Sequence, residues 1–251
     1  MNWINRAFEQ SAYEWNLSSN AAWWLFWLPI LGSVIMIFAA INRDFYRFLL
    51  TEDGPVEWLT FGGFMLTAVI TTRIAYLLFR AKHGWLAVIY VLATGAMLFC
   101  AGEEISWGQR VFGFEIPDSL RSLNPTNELV FHNIGGTFGV FNLAIIAVEF
   151  IGVMAFFLNR KLRLEKRWLY ANYLLIPPLC LSSSFFIAFA YNPIRFILWP
   201  EPTFVVARYA EWTELCLVFG LSVFVCLALR QLKAELQPDV PGPWLRLRNS
   251  E

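Results

Sequence analysis

Of the 251 residues, 58% are hydrophobic and only 15% charged, at a formal net charge of zero. A soluble domain of this size carries nearer a quarter charged residues, and a balanced charge gives no electrostatic case for nucleic acid. The mean hydropathy of +0.52 and repeated apolar runs of about 20 residues predict an all-α, polytopic membrane bundle.

The first twenty residues carry Glu9 and Glu14 and lack the apolar core of a cleavable signal. Ile4, Phe8, Ser11 and Trp15 recur there at helical spacing, beside Trp3. That pattern predicts a surface helix within residues 1–20. Six spans follow by hydropathy: Ala21–Ile41, Val56–Phe79, Trp85–Ile105, Phe138–Leu158, Trp168–Ala190 and Ala210–Leu229. Residues 1–229 read as a single transmembrane domain and 230–251 as a loosely ordered cytoplasmic tail. Pro177 and Pro178 predict a kink in the fifth span, which membrane helices tolerate. Cys100, Cys180, Cys216 and Cys226 lie in apolar runs without zinc spacing and read as small hydrophobes.

The longest connection, residues 106–137, joins the third and fourth spans and reads as an interfacial helical segment. Asn124-Pro125 marks a helix start, and Gly135-Gly136 a stop. On that helix Glu128 and His132 stand at i, i+4, the spacing by which one helix grips one metal.

Charge is distributed unevenly between the two sides. The side of the termini collects twelve of the eighteen Lys and Arg outside the spans, including the run Arg160 to Arg167. Cations stay inside, so both termini are expected in the cytoplasm. The acids reverse the bias, and several sit at helix ends on the non-cytoplasmic side. Glu57 opens the second span after Glu52 and Asp53, Glu103 and Glu104 close the third, and Glu211 and Glu214 open the sixth on one helical face. Acids at helix starts suit the helix dipole without any function, but Glu103 and Glu104 lie at a C-terminus, where acids are disfavoured. Ionisable groups at this depth usually face a bundle interior or a wet cavity.

The expected site therefore has Glu103, Glu104 and His132 as catalytic groups. Glu57, Glu103, His132, Glu211 and Glu214 are the metal ligands, with Glu52, Asp53, Ser106, Gln109, Arg110 and Glu128 in support. Clustered carboxylates need a compensating cation, guanidinium or shared protons. Oxygen ligands with one imidazole suit magnesium, manganese, calcium or iron, and leave zinc open. Adjacent Glu103 and Glu104 differ by about 100° around the helix, so only one can enter a shared cavity. Arg73 and Glu149, both inside spans, are expected to pair. Ser182-Ser183-Ser184 reads as helix packing. Trp23, Trp24, Trp58, Trp85, Trp107, Trp168, Trp199 and Trp212 read as an interfacial belt.

The stretches Glu-Asp-Gly-Pro-Val-Glu-Trp (52–58), Gly-Glu-Glu-Ile-Ser-Trp-Gly-Gln-Arg (102–110) and Phe-His-Asn (131–133) resemble a family of uncharacterised bacterial multi-pass membrane proteins. The resemblance implies a bacterial cytoplasmic membrane and a site at these acids and His132, and it supplies no reaction. A fainter similarity to alkaline-ceramidase-type membrane hydrolases implies a histidine-rich zinc site, which one usable histidine excludes. Together these features lead to an enzyme performing metal-assisted hydrolysis or transfer on a lipid or lipid-linked substrate at the non-cytoplasmic face. The alternatives are a cation- or proton-coupled transporter and a non-catalytic scaffold subunit.

Orientation can be measured directly. In a background without the native cysteines, Ser122→Cys should label from outside intact cells and Ser250→Cys should not. External labelling at position 250 would overturn the topology.

Overall fold

The computed structural model describes residues 3–115, 129–131, 137–162, 173–195 and 202–236. All regular structure among them is helical, and five helices are long and apolar enough to cross a membrane. In chain order these elements are α1 (Trp3–Glu14), α2 (Ser19–Ala39), α3 (Arg43–Leu50), α4 (Pro55–Arg80), α5 (Gly84–Glu104), α6 (Gln109–Phe112), α7 (Thr137–Leu162), α8 (Ser182–Pro193) and α9 (Phe204–Glu235). Within α7 the apolar stretch is Leu143–Ala155. The predicted helix around Glu128 and His132 lies outside the described residues.

Each long helix is apolar nearly all round, so burial follows small residues and hydroxyls rather than a hydrophobic stripe. Lipid-facing positions carry large side chains: Trp24, Leu28, Ile35 and Phe38 of α2, Leu66 and Val69 of α4, and Val91 and Leu92 of α5 are all exposed. The inward faces carry small residues. A Cβ on Gly63 of α4 would stand 3.0 Å from Val218 of α9. One turn on, the Thr67 and Ser222 hydroxyls meet at 2.7 Å. Thr71 of α4 likewise meets Thr94 of α5 at 2.9 Å. Each hydroxyl also lies within hydrogen-bond distance of a carbonyl, one turn back for Thr67, Thr71 and Thr94 and that of Gly63 across the helices for Ser222, so none is stranded in the apolar interior. Below them Ile74, Leu78, Leu86, Leu174, Val225 and Leu232 close the end of the bundle that carries α1.

The fifth predicted span is broken outright at Pro177 and Pro178, which separate residues 173–175 from the turn Leu179–Leu181 and α8. Two proline rings cost backbone donors and leave carbonyls open, which hydrocarbon does not tolerate. The chain meets that need from other elements. Tyr90 of α5 donates to the Leu174 carbonyl at 2.6 Å, and Ser11 of α1 accepts from the Leu179 N–H at 3.1 Å.

Helix α1 forms as the spacing predicts, but its apolar stripe packs on protein. Phe8 stacks on Trp23 with ring centroids 4.2 Å apart, and Trp15 lies against Tyr173 and Phe224. Arg230 donates to the carbonyls of Trp15 and Asn16, and Gln231 to that of Glu14. A cation thus covers the open carbonyls of a helix C-terminus. The last helix continues past the predicted boundary at Leu229 to Glu235, because residues 230 and 231 hold α1.

Two expectations fail. Arg73 is exposed and lies over the Tyr76 ring at 5.3 Å. Glu149 is buried and accepts instead from Asn192 of α8 at 2.7 Å. Glu149 lies toward the acidic end, within reach of Glu214, whereas Arg73 lies near the other end of α4, so the two are neither level nor facing. Trp212 also leaves the predicted belt. The Trp212 indole donates to Ser33 at 2.9 Å and fills the space that Gly32 leaves open. Trp24, Trp58 and Trp85 are exposed as an interfacial belt requires.

Tyr90→Phe and Ser11→Ala should each strip a backbone group at the double-proline break of its partner. Each should lower stability by about 1 kcal/mol, read as a fall in thermal unfolding temperature in detergent. Unchanged unfolding in both would mean that the break is satisfied some other way.

Candidate functional site

Opposite the closed end, the carboxylates of Glu104, Glu211 and Glu214 converge. One oxygen of each lies within 4.8 Å of the others. Glu104 is the last residue of α5, while Glu211 and Glu214 stand one turn apart near the start of α9. Glu104 and Glu211 are half-buried, and Glu214 is exposed. Three carboxylates this close need positive charge or shared protons among them.

Arg110 meets part of that need and fixes the geometry. It follows the third span by six residues and reaches back over the helix ends. Its guanidinium donates to the Glu57 carboxylate at the start of α4 and to the backbone carbonyl of Glu104. Asp53 stands 3.7 Å away. The other Glu57 oxygen accepts from the Asp53 N–H, so Glu57 closes the N-terminus of α4 as a capping residue does. Glu57 thus lies in an ion pair beside the carboxylate triplet rather than in it. On the opposite flank Arg208 bridges Glu52 at 3.3 Å and Glu211 at 3.9 Å, the balancing role that its place one turn before Glu211 predicts.

The neighbours Glu103 and Glu104 diverge, as 100° of helical rotation requires. Glu104 enters the triplet. Glu103 Oε1 accepts from the Trp107 indole at 2.6 Å and from the Phe131 N–H at 3.1 Å. Gln109 Oε1 accepts from the Leu129 N–H at 2.7 Å. Both side chains therefore hold residues 129–131 against the end of the third span. Phe99, Trp107 and Phe131 complete this attachment as an aromatic cluster. Glu103 serves here as an anchor, not as a member of the triplet. His132, next to Phe131, and Glu128 lie outside the described residues.

Between Glu104 and Gln109 the chain makes a left-handed turn. Ser106, Trp107 and Gly108 have φ of +48°, +53° and +83°. Glycine adopts such a conformation freely; serine and tryptophan do so at about 1–2 kcal/mol each. The turn reverses the chain sharply enough for Arg110 to reach the Glu104 carbonyl. The Trp107 ring lies on Gly102, whose Cβ would come within 3.0 Å of it. Ser106 is buried, and its hydroxyl has no hydrogen-bond partner among the described residues. Strain and an unsatisfied hydroxyl beside three carboxylates are the kind of local cost that functional sites carry.

Sequence reasoning gave Glu149 to Arg73 rather than to the acidic region, and missed Asn192. Glu149 lies within electrostatic reach of Glu214 and so extends the acidic region deeper into the bundle. A glutamate inside an apolar span was the available signal. Its partner was hidden because Asn192 comes from a helix 43 residues further on. No family model, curated protein or solved structure matches the chain.

Ser106→Gly should relieve the left-handed strain and remove the stranded hydroxyl. Stability should rise by about 1 kcal/mol, after allowance for the greater freedom of the unfolded chain, measured by thermal unfolding. A clear loss of stability would mean that the hydroxyl is engaged in the folded protein.

Proposed function

We propose that this chain is a membrane-embedded enzyme of six spans that binds a divalent cation and acts on a lipid or lipid-linked substrate. The cation would be held by Glu104, Glu211 and Glu214. The site would open on the non-cytoplasmic face of a bacterial cytoplasmic membrane, with both termini inside and residues 106–137 lying at the interface. The observation that carries this reading is the convergence of three carboxylates from two helices within 4.8 Å at one end of the bundle. The donor set fits a hard cation, since all three groups offer oxygen. A bound divalent ion would supply Lewis-acid polarisation of a carbonyl or phosphoryl oxygen and a more acidic water.

The chain's own residues have assignable parts. Glu104 and Glu211 sit on separate helices, so their spacing depends on Arg110 and on the packing of α4 between α5 and α9. Glu214 stands one turn further into the bundle than Glu211, on the side of Glu149. Arg208 holds Glu211 in place. Glu103 and Gln109 position residues 129–131, and through them the adjoining His132, for which a general-base role is the proposal.

An apolar lower half favours chemistry at one face over passage through the bundle, because buried side chains of α4, α5 and α9 fill that end. Transport of protons or cations is the second reading. Glu149, buried and near Glu214, is the observation in its favour.

Metal analysis of the detergent-purified protein separates these ideas. The wild type should carry about one equivalent of magnesium, manganese, calcium, iron or zinc. Glu104→Gln and Glu214→Gln should lose it with the fold intact by circular dichroism. Glu103→Gln should keep it, because that side chain anchors the segment at 129–131. A metal-free wild type, after purification in buffers supplied with each ion, would end the metal reading. Flux into proteoliposomes that depends on Glu149 would then favour transport.

A further inference from the structure

The acidic end of the bundle carries two arginines that no acid among the described residues neutralises. Arg110 is bonded to Glu57 and Arg208 to Glu52 and Glu211. Arg43 and Arg47, at i and i+4 on α3, make no ion pair among the described residues. Both guanidinium carbons stand 5.3 Å from the centroid of one ring, that of Phe204 at the start of α9. They are therefore separated by no more than twice that distance. Two like charges one helical turn apart destabilise a helix, and the shared ring compensates only through cation–π attraction. Asp44, three residues before Arg47, makes no ion pair with it.

Helix α3 is held rigidly under this pair. Tyr46 and Leu50 are fully buried, and the Tyr46 hydroxyl donates to the Val205 carbonyl at 2.9 Å. On another face Ile41, Phe45 and Phe48 stand 83%, 50% and 63% exposed. α3 is thus short and anchored, with exposed guanidiniums on one side and, by helical register, the exposed Phe45 and Phe48 about 150° round from them. Such a helix lies in the plane of the membrane interface.

We propose that α3 and the first turn of α9 form a binding site for the headgroup phosphate of an anionic phospholipid. A phosphate oxygen pair between Arg43 and Arg47 would receive charge-assisted hydrogen bonds from two guanidiniums preset on the Phe204 ring. The acyl chains would pass alongside Phe48, the exposed apolar residue next to Arg47. Charge complementarity selects an anion at these guanidiniums, and the exposed apolar side of α3, which suits the lipid–water boundary, favours a lipid over a soluble anion. This site stands apart from the carboxylate triplet and does not depend on the metal reading.

The test measures thermal unfolding of the full chain in detergent against increasing palmitoyl-oleoyl phosphatidylglycerol. Phosphatidylcholine and inorganic phosphate serve as parallel arms. Phosphatidylglycerol should raise the unfolding temperature of the wild type, and its apparent affinity should fall about fivefold for each arginine removed. R43Q, R47Q and the double variant carry that series, so failure of the double variant to fold leaves the singles to decide. R43K/R47K should retain most of the shift, and R80Q/K82Q, at the other end of α4, all of it. Equal responses of R43Q, R47Q and wild type would overturn the proposal. An equal shift with inorganic phosphate would overturn the lipid assignment, and an equal shift with phosphatidylcholine would overturn the requirement for net negative charge.

Discussion

Arg110 is bonded to the first turn of α4 through Glu57 and to the last carbonyl of α5 through Glu104, and the acidic end takes its shape from that double attachment. A guanidinium is planar, permanently charged and able to donate in several directions at once, so one side chain ties two helix ends that run in opposite directions. It also places positive charge beside carboxylates that would otherwise repel one another. The left-handed turn at residues 106–108 follows from this geometry, since the chain must reverse within a few residues to bring Arg110 back over Glu104. The strain of that turn and the convergence of the acids are thus two parts of one arrangement.

The remainder of the bundle answers a different constraint. Hydrocarbon offers no hydrogen-bond partner to an open backbone group. At the double proline the partners come from Tyr90 and Ser11, and at the end of α1 they come from Arg230 and Gln231. The first helix, the broken span and the last helix are joined at one end by these bonds rather than by apolar packing alone. Between the two ends, hydroxyls of α4, α5 and α9 meet in pairs while satisfying their own helices. The result is a bundle with a polar, acidic end and an apolar, closed one.

The contrast between Glu103 and Glu104 shows how narrow the margin is between anchoring and chemistry. Adjacent in sequence and identical in type, one accepts two N–H groups from a neighbouring segment and the other joins two carboxylates from another helix. Glu57 is a third variant of the same residue, consumed by a cap and an ion pair. Residue type alone assigns all three to one site; only the direction of each side chain separates them.

The apolar, helical character, the boundaries of the first three spans to within a few residues, and the place of the acids at helix ends were legible from the sequence, because run length and polarity are properties of each segment by itself. The divergence of Glu103 from Glu104 and the reach of Arg208 to Glu211 were legible as well, since both follow from helical rotation over a few residues. What the tertiary structure alone decided are matters of which surfaces face each other. Arg73 and Glu149 lie toward opposite ends of the bundle and never meet, while Asn192, 43 residues away from Glu149, is its partner. Trp212 reads by composition as part of an interfacial belt and instead fills the space over Gly32. Helix α3 went unrecognised because eight residues are too few to stand out by hydropathy, and its stability comes from burial of Tyr46 and Leu50 against other elements. Depth along the membrane normal is written into a sequence one segment at a time; rotation about that normal is fixed only when the helices pack.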